Sequence, residues 1–508
     1  MQGRGFLPRR AALLAGVALA GAFMPSLRPA FADSPATLTD ALVEAYNNNA
    51  TLQEQRAALR QTDEQVPTAL SGWRPTVQVT STVGRTSGNE WVQYNAPYQG
   101  GAGEGSTKYA ESRNSLDSQV TLDQPIYKGG KTIASLREAK NQVFAARAQL
   151  LASEQTVFLN VVNAYVTVIT DTQLLALQKS NEQVLLQQLR DTQAQFSVGE
   201  ITLTSVAQAQ ASLAQASEQV EVAQGNLQIA RENFRQLVGD YPADNLAPPQ
   251  PLLPPVTSKD EAAKAALANN PNVIAAEFTD AANKDAVDVA FSALMPQIDF
   301  QATAYNQQGS SGIGVKQNGG TVSAQLTVPL YQGGQEYAAI RAARAKEQQS
   351  FAAILDAQRT AYQQAGQAWE TIISTRAAIV STNVAIKADA IALDGTEREQ
   401  LVGTRTTLDV LNAQQLVLNA QVQQVQNIST LVNNSYTVAA AAGRLTARDL
   451  NLPVQEYDDL KYYDAVKYAG FGTGEAADQE AGVTPNGALL AASPAPPITD
   501  GPAGSAAP

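Results

Sequence analysis

The side chains that most often do chemistry are missing from this chain. Its 508 residues include no cysteine and no histidine. That excludes disulfides, thiol nucleophiles, imidazole acid–base catalysis and most zinc or copper sites. Carboxylates remain, but no pair of them is placed as an acid and a base, so no catalytic, cofactor-binding or metal-ligating residue is expected. The run Gly100-Gly101-Ala102-Gly103-Glu104-Gly105 lacks the Lys-Ser/Thr of a phosphate loop and reads as a surface loop. A net charge of −12 argues against a nucleic-acid partner. What stands out by type and spacing is a duplicated turn. Pro125-Ile126-Tyr127-Lys128-Gly129-Gly130 recurs as Pro329-Leu330-Tyr331-Gln332-Gly333-Gly334, an offset of 204 residues (331 − 127). Val198-Gly199 and Val402-Gly403 share that offset, as do Thr202 and Thr406. A repeat this long is a half-domain rather than a solenoid module.

Each copy of the turn lies between a strand pattern and a long helix pattern. Leu116, Val120 and Leu122 alternate with Gln119, Thr121 and Asp123, and Val322, Ala324, Leu326 and Val328 alternate with Ser323, Gln325 and Thr327. Proline ends the ladder because it has no N–H, and two glycines let the backbone swing into a helix. The swivel residues are therefore Pro125, Tyr127, Gly129, Gly130, Pro329, Tyr331, Gly333 and Gly334. Two further strands follow Pro75 (76–85) and Pro296 (Ile298, Phe300, Ala302, Ala304 against Asp299, Gln301, Thr303). Residues 86–114 and 307–320 read as polar loops. Tyr127 and Tyr331 suit either an aromatic belt at a membrane interface or packing at the swivel.

Helical pattern fills the rest. Residues 37–72 form helices broken at Asn47-Asn48-Asn49 and kinked at Pro67. From residue 131 to 198, Leu136, Val143, Leu150 and Val157 repeat at sevens, as do Phe144, Leu151, Phe158 and Tyr165. Two adjacent seams suit a helix with neighbours on both sides, in a closed cylinder of helices. Gly199 ends this helix, and a return helix runs over 205–238 with Thr202, Thr204 or Ser205 as its cap. The second half repeats the plan, with Gly403 ending its long helix and a last helix from Thr407 to Ala442. Residues 1–32 read as a secretory signal, with Arg4, Arg9 and Arg10 before an apolar core and Ala30-Phe31-Ala32 as the cleavage site. The organisation expected is a signal (1–32), a first repeat (33–240), a Pro-rich linker (241–257), a second repeat (258–450) and a C-terminal extension (451–508) disordered after about residue 470.

Beyond the N-terminus no run of about 18 apolar residues exists, so no transmembrane helix is expected. Strands of roughly nine or ten residues, apolar on one face, match the tilted strands of a membrane barrel. Four strands cannot close a barrel, and an open sheet edge is not tolerated in lipid. Several chains must then contribute: two copies give eight strands with a filled interior, and three give twelve with room for a channel. The fold class expected is a long α-helical coiled-coil barrel joined to a transmembrane β-barrel, internally duplicated.

The stretch Val402-Gly403-Thr404-Arg405-Thr406-Thr407-Leu408-Asp409-Val410-Leu411-Asn412-Ala413, the segment Ala442 to Leu450 and the duplicated strand–turn–helix unit resemble the TolC family of outer-membrane efflux and secretion channels over about residues 37–450. That resemblance implies a homotrimer with a twelve-stranded barrel in outer-membrane lipid and a helical tunnel in the periplasm of a Gram-negative bacterium. It also implies a periplasmic adaptor and an inner-membrane ABC or proton-driven transporter as partners, and no cofactor. By the same resemblance Asp409 lines the constricted tunnel entrance, with Asn412 where a second acid often stands. The other reading of Asp409 is a helix-start acid favoured by the dipole. Arg405 matches a residue of the closed-tip lock, or is a solvated arginine. Thr204 and Ser205 fall on the first tip, where an aspartate is common at 205, and Gln400 stands where a tyrosine can occur. Gly199 and Gly403 mark the tip turns where an adaptor would dock. The function implied is a passive exit duct for efflux or type I secretion; the alternative is a periplasmic coiled-coil scaffold without a pore, against which the matched amphipathic strands argue.

Overall fold

The computed structural model describes residues 34–94, 105–252, 258–310, 314–474 and 478. The expected signal sequence, the Gly-rich run up to residue 104 and most of the tail beyond 474 lie outside the described residues. The first half runs α1 (Leu38–Asn48), α2 (Ala50–Asp63), α3 (Gln65–Leu70), β1 (Thr76–Tyr94), β2 (Gly105–Lys128), α4 (Lys131–Ser197) and α5 (Leu203–Val238). The second half runs α6 (Lys259–Asn269), α7 (Pro271–Phe291), β3 (Gln297–Gln308), β4 (Lys316–Thr327), α8 (Gln335–Leu401) and α9 (Thr407–Ala441), and a short α10 (Lys461–Val466) follows.

The same local chemistry builds both halves. Asn49 closes α1 and caps α2, its side-chain oxygen accepting from the Thr51 and Leu52 amides. Asn270 does the same between α6 and α7, followed by Pro271, which is preset for a helix start. The free amide of each asparagine reaches the end of its half's return helix: Asn49 Nδ2 donates to Leu237 O at 2.9 Å and Asn270 Nδ2 to Ala441 O at 3.2 Å. At the swivels Gly129 and Gly130 have φ of +60° and +86°, and Gly333 and Gly334 +71° and +84°. Residues with a Cβ avoid that region. The second glycine of each pair starts a 67-residue helix, roughly 100 Å long at the α-helical rise.

The expected kink at Pro67 is instead a break one turn earlier, at Glu64 between α2 and α3. The proline ring occupies the space of the carbonyl four residues back, so the helix parts there. The polar stretch expected as a loop over 86–114 is mostly ladder, since pairing runs on to Tyr94 opposite Gly105. Hydrogen bonding between backbones needs no apolar alternation, and polar side chains on both faces hide the strand period. Likewise β3 and β4 pair out to Gln308 and Lys316. The fourth strand ends at Thr327, leaving Val328, Pro329 and Tyr331 outside it.

One antiparallel sheet carries all four strands in sequence order. Below it, the core sits near the middle of α4, where Phe158, Val161, Val162 and Tyr165 pack with Leu52, Phe234, Val238 and Leu445. The seam expected through Phe144, Leu151, Phe158 and Tyr165 is buried only at its last two members. Phe144 is 42% exposed and packs instead on Phe278 of α7, ring centres 5.1 Å apart.

Candidate channel wall and tip

Strand register sorts the sheet into two faces. Val77, Val79 and Val83 of β1 stand opposite Leu122, Val120 and Leu116 of β2. Leu122 and Val120 stand opposite Ala302 and Ala304 of β3, and Ile298, Phe300 and Ala302 opposite Leu326, Ala324 and Val322 of β4. Period-2 alternation puts this set on one side. The other side carries Gln78, Thr80, Gln119, Thr121, Asp123, Asp299, Gln301, Thr303, Ser323 and Gln325, and Gln301 donates to Asp123 at 2.8 Å. Among the described residues this apolar side is left open, with Val79 71% and Val322 68% exposed. A continuous apolar sheet face beside a polar one is the division between lipid and water that a barrel wall requires. Of the described swivel residues, Tyr127 and Tyr331 are both exposed in the single chain, while Gly129 packs closely on Ser292 and Met295.

At the far end of the long helices lie two matching turns. The Gly199 amide donates to Phe196 O and the Glu200 amide to Gln195 O, each at 3.0 Å. The Gly403 amide donates to Gln400 O at 2.9 Å and the Thr404 amide to Glu399 O at 3.0 Å. With φ of +83° and +80° at the glycines, these are paired Schellman stops. Exposed Val198, Leu401 and Val402 flank them.

The turns part company at the start of the returning helices. Thr406 and Asp409 form a capping box: the Thr406 amide and hydroxyl donate to Asp409 Oδ2 at 2.9 and 2.8 Å, and the Asp409 amide donates to Thr406 Oγ1 at 3.3 Å. The Thr406 backbone bond, then its hydroxyl, and the nearby Arg405 charge hold the Asp409 carboxyl below its usual range. In the first half Ser205 takes the acid's place, 3.5 Å from Thr202 Oγ1, and α5 has no side-chain cap. Arg405 pairs with Glu399 at 2.9 Å, both half exposed. Gln400 Nε2 reaches Thr407 Oγ1 at 3.2 Å. Thr204 and Asn412 are exposed. The structure therefore brings Gln400, Arg405 and Asp409 together on one turn. Among the described residues no hydrogen bond or ion pair joins them to Thr204 or Ser205 on the other.

The sequence reading passed over Glu399, although an acid and Arg405 straddling Gly403 were visible, and over Thr406 as Asp409's partner, although Thr-x-x-Asp before an apolar run is a capping signature. It could not see the packing behind the tip. There Leu185, Ala216 and Leu411 join the two helical hairpins, beside a cavity of about 240 Å³ lined by Gln178, Asn181, Gln215, Gln414 and Asn419.

Comparison with known proteins agrees with this geometry. The family model described as Outer membrane efflux protein matches residues 41–240 and 262–444. The outer membrane efflux protein BepC of Brucella suis is 34% identical over 439 residues, covering 86% of this chain and 91% of that protein. The outer membrane protein TolC of Escherichia coli is 24% identical over 359 residues, covering 66% and 71%. Among solved structures, the outer membrane channel CmeC of Campylobacter jejuni superposes with a TM-score of 0.67 over 80% of this chain and 85% of its own, at 18% identity. The chain belongs to the outer membrane efflux protein family and is a TolC-like channel protein of the Gram-negative outer membrane.

Proposed function

We propose that three copies of this chain close into a ring that serves as a passive exit duct. The observation that carries the reading is how the first half packs on the second. β2 pairs with β3, and α4 lies on α7, where Arg137 meets Asp285 and Asp288 at 2.9 and 2.7 Å. By the duplication, β4 and α8 should be covered in the same way by β1, α2 and α3. In one chain they are not. β1 and β4 are the sheet's two edges, and Phe351, Ile373 and Val384 along α8 are exposed. A head-to-tail contact that repeats the internal one closes a ring when the rotation allows. Three copies give twelve strands, enough for an open lumen, whereas eight fill with side chains.

In that ring the polar sheet face lines the pore and the long helices extend it into the periplasm. The tip turns gather around the axis, with Asp409 near the constriction and Asn412 one turn on. Arg405, Gln400, Thr204 and Ser205 form the gate region, and Gly199 and Gly403 present the turns to a periplasmic adaptor. Energy comes from an inner-membrane transporter, a reading supported by membership of the outer membrane efflux protein family. A scaffold without a pore would leave the apolar sheet face in water.

Single-channel conductance of the purified oligomer in a planar bilayer tests the reading, for wild type and Asp409→Ala. A small cation-selective conductance that loses selectivity in the variant is expected. An oligomer that conducts without ion preference in both forms would remove Asp409 from the pore. One that never inserts would end the duct reading.

A further inference from the structure

The family match ends at residue 444, but the chain continues as an ordered strap. After α9 the backbone enters the core at Leu445 and Ala447. The Glu154 carboxylate, buried in α4, accepts from the Ala447 amide at 2.7 Å. From there the strap climbs the helices toward the sheet. The Tyr457 amide donates to the Tyr46 hydroxyl at 2.9 Å, Arg147 meets Asp459 at 3.3 Å, and the Tyr462 hydroxyl donates to Glu64 at 2.9 Å. Tyr463 then packs against the buried cluster of Val66, Ala139 and Val143. The climb ends at Arg74, whose guanidinium donates to Ala469 O at 2.6 Å and Tyr468 O at 3.0 Å.

Arg74 lies two residues before the first strand residue, Thr76, and three before the first valine of the apolar sheet face, Val77. The strap is thus pinned at the height where the lipid-facing wall begins. There it presents Tyr468, 75% exposed, and Phe471, fully exposed. Lys467 Nζ pairs with Asp464 at 2.7 Å and stands 5.5 Å from the Tyr468 ring centre, and Trp73, also exposed, is next to Arg74. Exposed aromatic rings at the level where an apolar wall begins are the chemistry of a bilayer interface, with the rings at headgroup depth.

We propose that residues 467–471 form a membrane-interface anchor, with Tyr468 and Phe471 seated in the periplasmic leaflet of the outer membrane. The anchor fixes the height of the channel in the bilayer and ties that height, through the strap, to the middle of the helical body.

The absence of native cysteine makes the test direct. Single cysteines are placed by Phe471→Cys, by Val79→Cys on the apolar sheet face and by Val198→Cys at the tip. Each is nitroxide-labelled, and the full chain is reconstituted in phosphatidylethanolamine–phosphatidylglycerol vesicles. Collisions with apolar oxygen and with water-soluble Ni(II)EDDA are read by EPR. The 471 label is expected to lose Ni(II)EDDA collisions and gain oxygen collisions relative to 198, approaching 79. A 471 label as open to Ni(II)EDDA as the tip label overturns the anchor. So does an immobile label shielded from both reagents, which would place it against a second copy. A water-exposed label at 79 would instead refute the lipid assignment of the sheet, and the anchor with it.

Discussion

The proposed ring can be tested at a single glycine. An alanine Cβ at Gly129 would lie 2.5 Å from the Met295 Cβ and 2.7 Å from the Ser292 carbonyl oxygen. Neither atom is the free end of a side chain, so backbone must move, at a cost of about 1–3 kcal/mol. The positive φ adds roughly 1–2 kcal/mol for any residue with a Cβ. At Gly130 a Cβ would meet nothing, and only the second cost remains. Within one chain Gly333 and Gly334 also meet nothing, so Gly333→Ala should be as mild as Gly334→Ala. Ring closure changes that. Pro75 and Pro296 are counterparts, so Ser71 and Arg74 correspond to Ser292 and Met295, and Gly333 should sit on Ser71 and Arg74 of the partner subunit. Gly333→Ala then incurs the extra ~1–3 kcal/mol at every interface, about a 5- to 150-fold loss in each contact's equilibrium constant. Thermal dissociation of the detergent-solubilised oligomer, followed on gels and by circular dichroism, reads this out. Gly129→Ala and Gly333→Ala should both fall well below wild type, with Gly130→Ala and Gly334→Ala close together above them. If Gly333→Ala melts with Gly334→Ala, the head-to-tail closure argued here is wrong.

Three further outcomes are expected. Thr406→Ala removes a bonded cap and should cost about 1 kcal/mol at the start of α9, raising amide hydrogen exchange over residues 403–410; Thr202→Ala, whose hydroxyl caps nothing, should leave residues 199–206 unchanged, and equal effects would contradict the asymmetry. The Arg405–Glu399 pair is exposed and screened by water and so contributes little; Glu399→Gln should leave the closed-state conductance near wild type, and a channel sprung open would show that the pair locks the tip. Asp63, buried beneath the strap, has its carboxyl raised from 3.8 to about 7, by burial first, opposed by Arg147 and Arg60 and reinforced by Asp459 and Glu64. Its folded-state pKa lies above the unfolded one, so its contribution favours the folded state in acid and is lost as pH climbs from about 4 through about 7. Proteolytic release of the strap should therefore quicken from pH 5 to pH 8 in wild type and less so in Asp63→Asn; parallel pH curves would rule Asp63 out.

Much of the fold was legible because its signals are local and doubled. Glycine pairs that must take positive φ, asparagines that cap, prolines that end ladders and heptads that need a partner each act within a few residues. Repetition turned weak signals into a plan. The hairpin lengths were not legible, because polar strands beyond the apolar band carry no alternation to read. The tip was legible only as a place. Asp409 was visible, but not its engagement with Thr406, and Arg405 was visible without Glu399.

By itself the sequence determined the duplication, the strand and long-helix plan, the absence of thiol and imidazole chemistry, and the impossibility of closing a barrel with one chain. These follow from residue types, periods and counts. Only the tertiary structure decided which sheet face is apolar across all four strands, because that depends on register between strands far apart in sequence. The three-dimensional packing also turns Phe144 onto Phe278 of α7 and carries the C-terminal extension up to Arg74, just before β1. Those outcomes rest on contacts such as Arg74 with Ala469 and Tyr457 with Tyr46, made between segments hundreds of residues apart, where no local propensity reaches.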